Sequence, residues 1–195
     1  MNYVIIGNSA AAVGCVEGIR QVDQKGKITI ISDEPYHTYS RPLISYLLCG
    51  KTTEELMRYR PDDFYQTNKV ETMLGQKVTK IDPDAKQVLL ESGKTVPYDK
   101  LLCATGSSPF VPPMKGLETV EQKFTFMTLD AATALQKAIT PESNVLIIGA
   151  GLIGLKCAEG IFDSVRSVTV VDLAPHILSC ILDEAGAQMM QRHLE

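Results

Sequence analysis

The residues best suited to chemistry are six in a row: Gly149-Ala150-Gly151-Leu152-Ile153-Gly154. They form a full GxGxxG between an apolar run, Asn144 to Ile148, and a segment of helical character, Leu152 to Phe162. Each glycine has a physical reason. Gly149 permits the tight turn, Gly151 lets backbone approach a pyrophosphate because it has no Cβ, and Gly154 lets the helix pack closely on the strand. The free N–H groups and positive end of the helix then face the phosphates. An acid, Asp172, follows 23 residues after Gly149, at the end of the next apolar run, Ser167 to Val171. It is placed to accept from ribose hydroxyls, and its charge repels a 2′-phosphate, which favours NADH over NADPH. The alternative is a glycine-rich turn without a ligand, a reading that strand, helix and acid in register weaken.

A second copy opens the chain. Gly7-Asn8-Ser9-Ala10-Ala11-Ala12 keeps the first glycine but puts Ser at the second glycine position and Ala at the third. Ser9 adds a small Cβ where a phosphate approaches, and its hydroxyl can donate to that phosphate. The acid is Asp33, 26 residues after Gly7. Other reactive side chains are dispersed. Cys15, Cys49, Cys103, Cys157 and Cys180 include no pair closer than 23 residues, so zinc-ribbon and thioredoxin-like spacings are absent, and all five read as buried, reduced thiols. His37, His176 and His193 do not cluster and read as structural. No catalytic residue and no metal set is assigned.

The elements that must hold the two turns follow from periodicity. Tyr3 to Ile6 and Ile28 to Ile31 are short apolar runs of the kind buried on both faces of a parallel sheet, and Ala10 to about Gln24 is helix-compatible. Short helical stretches are expected at Pro42 to Leu48 and Thr53 to Met57. Residues 69 to 103 read as an antiparallel meander ending in the strand Lys100 to Ala104. Ser107 to Gly116, with three of the ten prolines, reads as a linker. Helices are expected at Asp130 to Ile139 and Leu182 to Leu194. The fold class is therefore α/β, with two Rossmann-like βαβ units, the first carrying an inserted meander; the domains are 1–112 and 113–195.

Composition limits the partners. In 195 residues, 45% are hydrophobic, 22% charged and 6% aromatic, and the net charge is −4 without a basic cluster. Nucleic acid and anionic membrane are poor partners for such a chain, and no run approaches the roughly 20 apolar residues of a membrane span. A cytoplasmic protein is expected.

Four segments in order resemble one family: the turn at 4–12, "ISDEPYHTYSRPLIS" at 31–45, "LLCATGSSP" at 101–109 and "VLIIGAGLIGLKCAEG" at 145–160. Together they are similar to the FAD- and NAD(P)H-dependent pyridine nucleotide oxidoreductases, in the branch with rubredoxin reductases, NADH oxidase-like proteins and the flavin module of nitrite reductases. The resemblance implies that the first unit holds FAD and the second NAD(H). It places the FAD pyrophosphate on Gly7, Ser9, Ala10, Ala11 and Ala12, the adenosine ribose at Asp33 with Glu34 beside it, and Arg41 near the FAD phosphates. It sets the backbone of Val78 against the adenine, and the turn Ala104-Thr105-Gly106 close to the cofactor. Gly149, Gly151, Leu152, Ile153, Gly154 and Asp172 are the NAD(H) set, with Lys156 beside them.

Departures accompany the likeness. No close cysteine pair is present, Pro42 stands where one branch has a single redox cysteine, and Lys156 replaces a frequent Glu. Family members also continue past the point matching Glu195, so the chain is expected to be truncated relative to the family, with a second chain as one source of the remaining segments. The activity implied is hydride transfer from NADH to FAD and onward to an electron-acceptor protein or small molecule. The alternatives are a non-catalytic dinucleotide-binding module and a thiol peroxidase using Cys49.

Overall fold

A computed structural model describes all residues from Met1 to Glu195. The chain divides into two compact units, residues 1–40 with 57–107, and residues 41–56 with 108–195. The segment 41–56, N-terminal to the 112/113 boundary read from sequence, thus packs with the second unit.

In the first unit, β1 (Asn2–Ile6), α1 (Ala10–Val22) and β2 (Lys27–Ser32) form the expected βαβ unit. Two further strands, β3 (Val70–Leu74) and β7 (Lys100–Cys103), complete a parallel sheet in the order β3-β2-β1-β7. The apolar runs are buried on both faces. Ile5, Ile28 and Ile30 point to one side, where Ala12, Val13 and Val16 of α1 meet them together with Phe64. Val4, Ile6 and Ile31 point to the other, where Val88 and Leu90 close the core. Those last two belong to a separate antiparallel sheet of β4 (Val78–Asp82), β5 (Gln87–Leu90) and β6 (Thr95–Pro97). The meander is therefore shorter than expected: β3 pairs parallel with β2, Ile28 opposite Val70, and does not belong to it.

Between residues 57 and 70 a short helix, α3 (Phe64–Thr67), docks on the same core through Phe64. The helix expected at Thr53 to Met57 does not form. Ser40 donates to the carbonyl of Met57 at 2.8 Å and Tyr39 bridges Arg58, so tertiary pairing overrides the helical propensity of this stretch.

The second unit repeats the motif with fewer strands. Here β8 (Asn144–Ile148), α5 (Leu152–Ile161) and β9 (Ser167–Val171) build a two-stranded parallel sheet with one helix. α4 (Leu129–Ala138) starts at Thr128, whose hydroxyl accepts from the Ala131 amide at 3.1 Å. α2 (Ile44–Leu48) packs on α4 and α5. A Cβ on Gly160 would come within 2.9 Å of the Ser45 carbonyl oxygen, so that glycine sets the close approach of α2 and α5. α6 (Glu184–Leu194) is capped by Asp183, which accepts from Gly186 N at 2.8 Å. Residues 107–116 carry no regular element. No helix is long and apolar enough to cross a membrane.

Candidate functional site

The two glycine turns have the same backbone architecture. Gly7 and Gly149 hold φ of +111° and +115°, a region that disfavours any side chain. Each donates its amide across to the end of the neighbouring strand, Gly7 N to the O of Ile31, the last residue but one of β2, at 2.7 Å and Gly149 N to the O of Val171, the last residue of β9, at 2.8 Å. Ser9 and Gly151 follow as extended N-caps of α1 and α5, and neither caps its helix with a side chain. The first-turn N–H groups are thus left to a ligand or to solvent. This is a local consequence of sequence: an apolar strand ends, glycine reverses the chain, and a small residue admits it to the helix.

What surrounds each glycine differs. A Cβ on Gly7 would lie 2.1 Å from the carbonyl oxygen of Ala104, whose own amide donates to Ile6 O at 2.8 Å. The structure therefore brings the first turn and the Ala104-Thr105-Gly106 turn into direct contact. Gly106 is itself left-handed, at φ +68°. In the second unit the tight contact is at Gly154, where a Cβ would meet Gly149 O at 1.9 Å, while at Gly151 a Cβ would meet nothing within 4 Å. Gly154 is needed for helix-on-turn packing, and Gly151 leaves open space beside the free amides. Ala12, the counterpart of Gly154, instead buries its methyl fully in the core, which explains why Ala serves there. Ala10 and Ala11 lie exposed at the start of α1, as Leu152 and Ile153 do on α5.

The acids are not equivalent. With Ile6 opposite Ile31 and Ile148 opposite Val171, the residue matching Asp172 in the first unit is Ser32, and Asp33 lies one position further. Ser32 is buried, and its hydroxyl accepts from Glu34 N at 3.3 Å. Asp33 is exposed, its carboxylate accepting from Glu34 N at 3.1 Å, and Glu34 accepts from the Tyr39 hydroxyl at 2.6 Å. The same tip is joined to the β3–β4 turn by Gln76 N to Ser32 O (2.8 Å) and Gly75 N to Glu34 O (3.3 Å). Val78 follows this turn, its side chain packed on the Val88–Leu90 core.

Asp172 reaches back to its own glycine turn. Its carboxylate accepts from Ala174 N at 2.7 Å and from Ala150 N at 2.6 Å, and these backbone donors hold it below the usual Asp range. It is an anion at neutral pH, with lone pairs remaining for hydroxyl donors. The Ala150 carbonyl is occupied as well, accepting from Leu178 N at 2.9 Å.

Two other candidates are engaged in local contacts of the second unit. Arg41 donates to Met127 O at 3.2 Å. Lys156 pairs with Glu159 and lies 4.3 Å from the Tyr46 ring centroid, while Lys51 approaches Glu159 at 3.8 Å. The hydrogen bond to Glu159 raises the Lys156 pKa and lowers that of Glu159, so both stay charged.

All five cysteines are free. The expectation that all are buried is corrected: Cys157 is buried, Cys15 and Cys49 are half-buried, and Cys103 and Cys180 are exposed. Cys103 lies on an edge strand and Cys180 in the loop before α6, which their apolar sequence neighbours did not reveal. Burial pushes the Cys157 thiol up to about 11, making it a poor nucleophile.

The whole chain, residues 1–195, matches the family described as pyridine nucleotide-disulphide oxidoreductase. The chain belongs to this family. Among curated relatives of this chain is the epsilon subunit of an NADH-dependent phenylglyoxylate dehydrogenase from Aromatoleum evansii, 34% identical over 190 residues, covering 97% of this chain and 45% of that one. A rubredoxin-NAD(+) reductase from Pseudomonas putida is 30% identical over 196 residues, covering 100% and 51%. The crystal structure of a ferredoxin reductase from Rhodopseudomonas palustris aligns with a TM-score of 0.86 at 26% identity, covering 98% of this chain and 47% of that one. The chain spans about half the length of the curated relatives it matches. Its α/β fold, with a parallel and an antiparallel sheet, is that of these oxidoreductases.

Sequence reasoning missed three residues. Ser32 emerges only from strand register, and Asn8 and Tyr65, 57 positions apart, are joined by a hydrogen bond that no spacing rule anticipates.

Proposed function

We infer that this chain carries the two dinucleotide sites of an NADH-dependent flavoprotein oxidoreductase. The observation that carries this reading is the duplicated turn: two left-handed glycines, each tied by its amide to the end of the adjacent parallel strand, each opening a helix with free N–H groups. The residues fit the groups. Open space beside Gly151 and the unpaired amides of α5 suit a pyrophosphate, and Asp172 supplies an anionic acceptor for ribose hydroxyls.

In this reading Gly7, Ser9 and the first turn of α1 hold the FAD pyrophosphate, and the tip at Asp33 and Glu34 takes the adenosine ribose. The Ala104 to Gly106 turn lies against Gly7 and so borders the same crevice. The Val78 backbone and Arg41 complete the FAD set as the family resemblance implies. Gly149 to Gly154 and Asp172 hold NADH, and the charge on Asp172 disfavours the 2′-phosphate of NADPH. FAD, when bound, supplies a two-electron acceptor for the hydride of NADH. The protein's part is to bind and orient, and no protein acid, base or thiol is required. The final acceptor is an electron-carrier protein or small molecule. Names such as rubredoxin-NAD(+) reductase among the relatives support a carrier protein.

Reconstitution with FAD tests this reading. The protein is expected to retain a visible flavin spectrum after gel filtration, and the spectrum to bleach on addition of NADH without oxygen. A colourless protein that binds NAD(H) by calorimetry would instead establish the non-catalytic module.

A further inference from the structure

The middle residue of each glycine turn is clamped from outside the turn, and the two clamps are chemically different. In the second unit the clamp acts on backbone: Ala150 gives its N–H to Asp172 and its carbonyl to Leu178. In the first unit the same position is Asn8, and the clamp acts on its side chain. Asn8 Nδ2 donates to the Tyr36 carbonyl at 3.1 Å, and Asn8 Oδ1 accepts from the Tyr65 hydroxyl at 2.9 Å. The Tyr65 oxygen also accepts from Thr38 N at 3.0 Å. The directions are mutually consistent. A carbonyl can only accept and an amide N–H can only donate, so the phenol must spend its single proton on Asn8.

This arrangement is built rather than incidental. Tyr65 comes from α3, whose preceding residue, Phe64, sits in the core beside Ala12 and Val13 of α1. The Tyr65 ring also packs on His37, with centroids 4.7 Å apart. Burial raises the Tyr65 pKa, so its proton stays in place at neutral pH. Both polar ends of Asn8 are consumed by the scaffold, which orients the backbone between Gly7 and Ser9. Next to Tyr36, two buried polar atoms lack a protein partner, His37 Nε2 and Thr38 Oγ1. Buried groups of this kind call for a partner, and their place in the clamp segment agrees with a polar ligand completing it.

We propose that Tyr65, acting through Asn8, is a positioning residue for the first dinucleotide, presetting the turn whose amides meet the pyrophosphate. The clamp offsets what Ser9 costs in that turn: with a Cβ at the second glycine position, the amides have less freedom to adjust to the ligand. The proposal rests on the reading of Gly7 to Ala12 as the FAD site.

Tyr65→Phe keeps the ring and removes the hydroxyl, and Asn8→Ala removes the other end of the bond. Each is expected to weaken FAD binding by the worth of one or two hydrogen bonds, about tenfold. The double variant should be no weaker than Asn8→Ala alone, because the two residues act in series. Displacement of FAD by adenosine, which carries no phosphate, reports the neighbouring ribose site. Adenosine affinity should stay unchanged in both variants. Equal FAD affinity in wild type and both variants overturns the proposal. Parallel loss of FAD and adenosine affinity overturns it too, since that marks general loosening. A wild-type chain that binds neither ligand removes the FAD reading itself, and the proposal with it.

Discussion

The two βαβ units reach one turn geometry from unequal surroundings. In the first, β1 and β2 lie inside a four-stranded sheet with α1 on one face and the antiparallel sheet on the other, and β2 is buried from Ile28 to Ser32. In the second, the sheet has two strands, and one face is bare: Leu146 is 58% and Ile148 54% exposed. Gly7 and Gly149 nevertheless differ by only a few degrees in φ, and their amide bonds by 0.1 Å. The turn is therefore a local product of a strand end, a left-handed glycine and one bond to the neighbouring strand. The completeness of the sheet does not decide the shape of the phosphate-binding turn.

The sharpest way to break this symmetry is at the glycines in closest contact. Gly7→Ala forces a left-handed Ala against the Ala104 carbonyl and should cost the first unit about 3–5 kcal/mol in chemical denaturation. Gly154→Ala meets the Gly149 carbonyl and should destabilise the second unit, whereas Gly151→Ala, with open space around it, should leave the melting curve unchanged and weaken only NADH binding. A destabilised Gly151→Ala would mean that this glycine serves packing and not a ligand.

Core truncation sharpens the contrast between the sheets. Ile30→Ala removes a fully buried side chain and should cost about 3 kcal/mol, while Leu146→Ala on the bare face should cost under about 0.5 kcal/mol. A large loss at Leu146 would show that its face is covered in solution.

The smallest effect concerns Asp172. Its carboxyl is held lower in the folded protein than in the unfolded chain, so it stabilises the second unit fully above the ordinary Asp pKa of about 4. That contribution falls away as pH drops through the lower folded value. Thermal melts from pH 7 to 2 should show the acid loss reduced in Asp172→Asn. The same variant keeps an acceptor for Ala150 while removing the charge, so it should narrow the preference for NADH over NADPH. Unchanged nucleotide selectivity would detach Asp172 from that role.

Much of this was legible in the sequence because it is local. Apolar runs ending in glycine located β1 and β8, and small residues behind them located α1 and α5. Failures occurred where tertiary contacts decide. In Val70-Glu71-Thr72-Met73-Leu74 the middle residues are exposed, so an edge strand of the parallel sheet looked like part of the meander. Thr53 to Met57 has helix-forming residues, but Met57 is buried and its backbone pairs with Ser40. Counting from glycine to acid overlooked the longer α1 connection, so Asp33 was matched with Asp172 although strand register assigns that place to Ser32. The Asn8–Tyr65 clamp joins residues with no sequence relation and was visible only in three dimensions.

Whether two similar turns serve two different ligands is answered most directly by binding stoichiometry. Calorimetric titration of the chain with FAD, followed by NADH under anaerobic conditions, should give one equivalent of each without competition between them. A single shared site, for which FAD and NADH compete, would contradict the account.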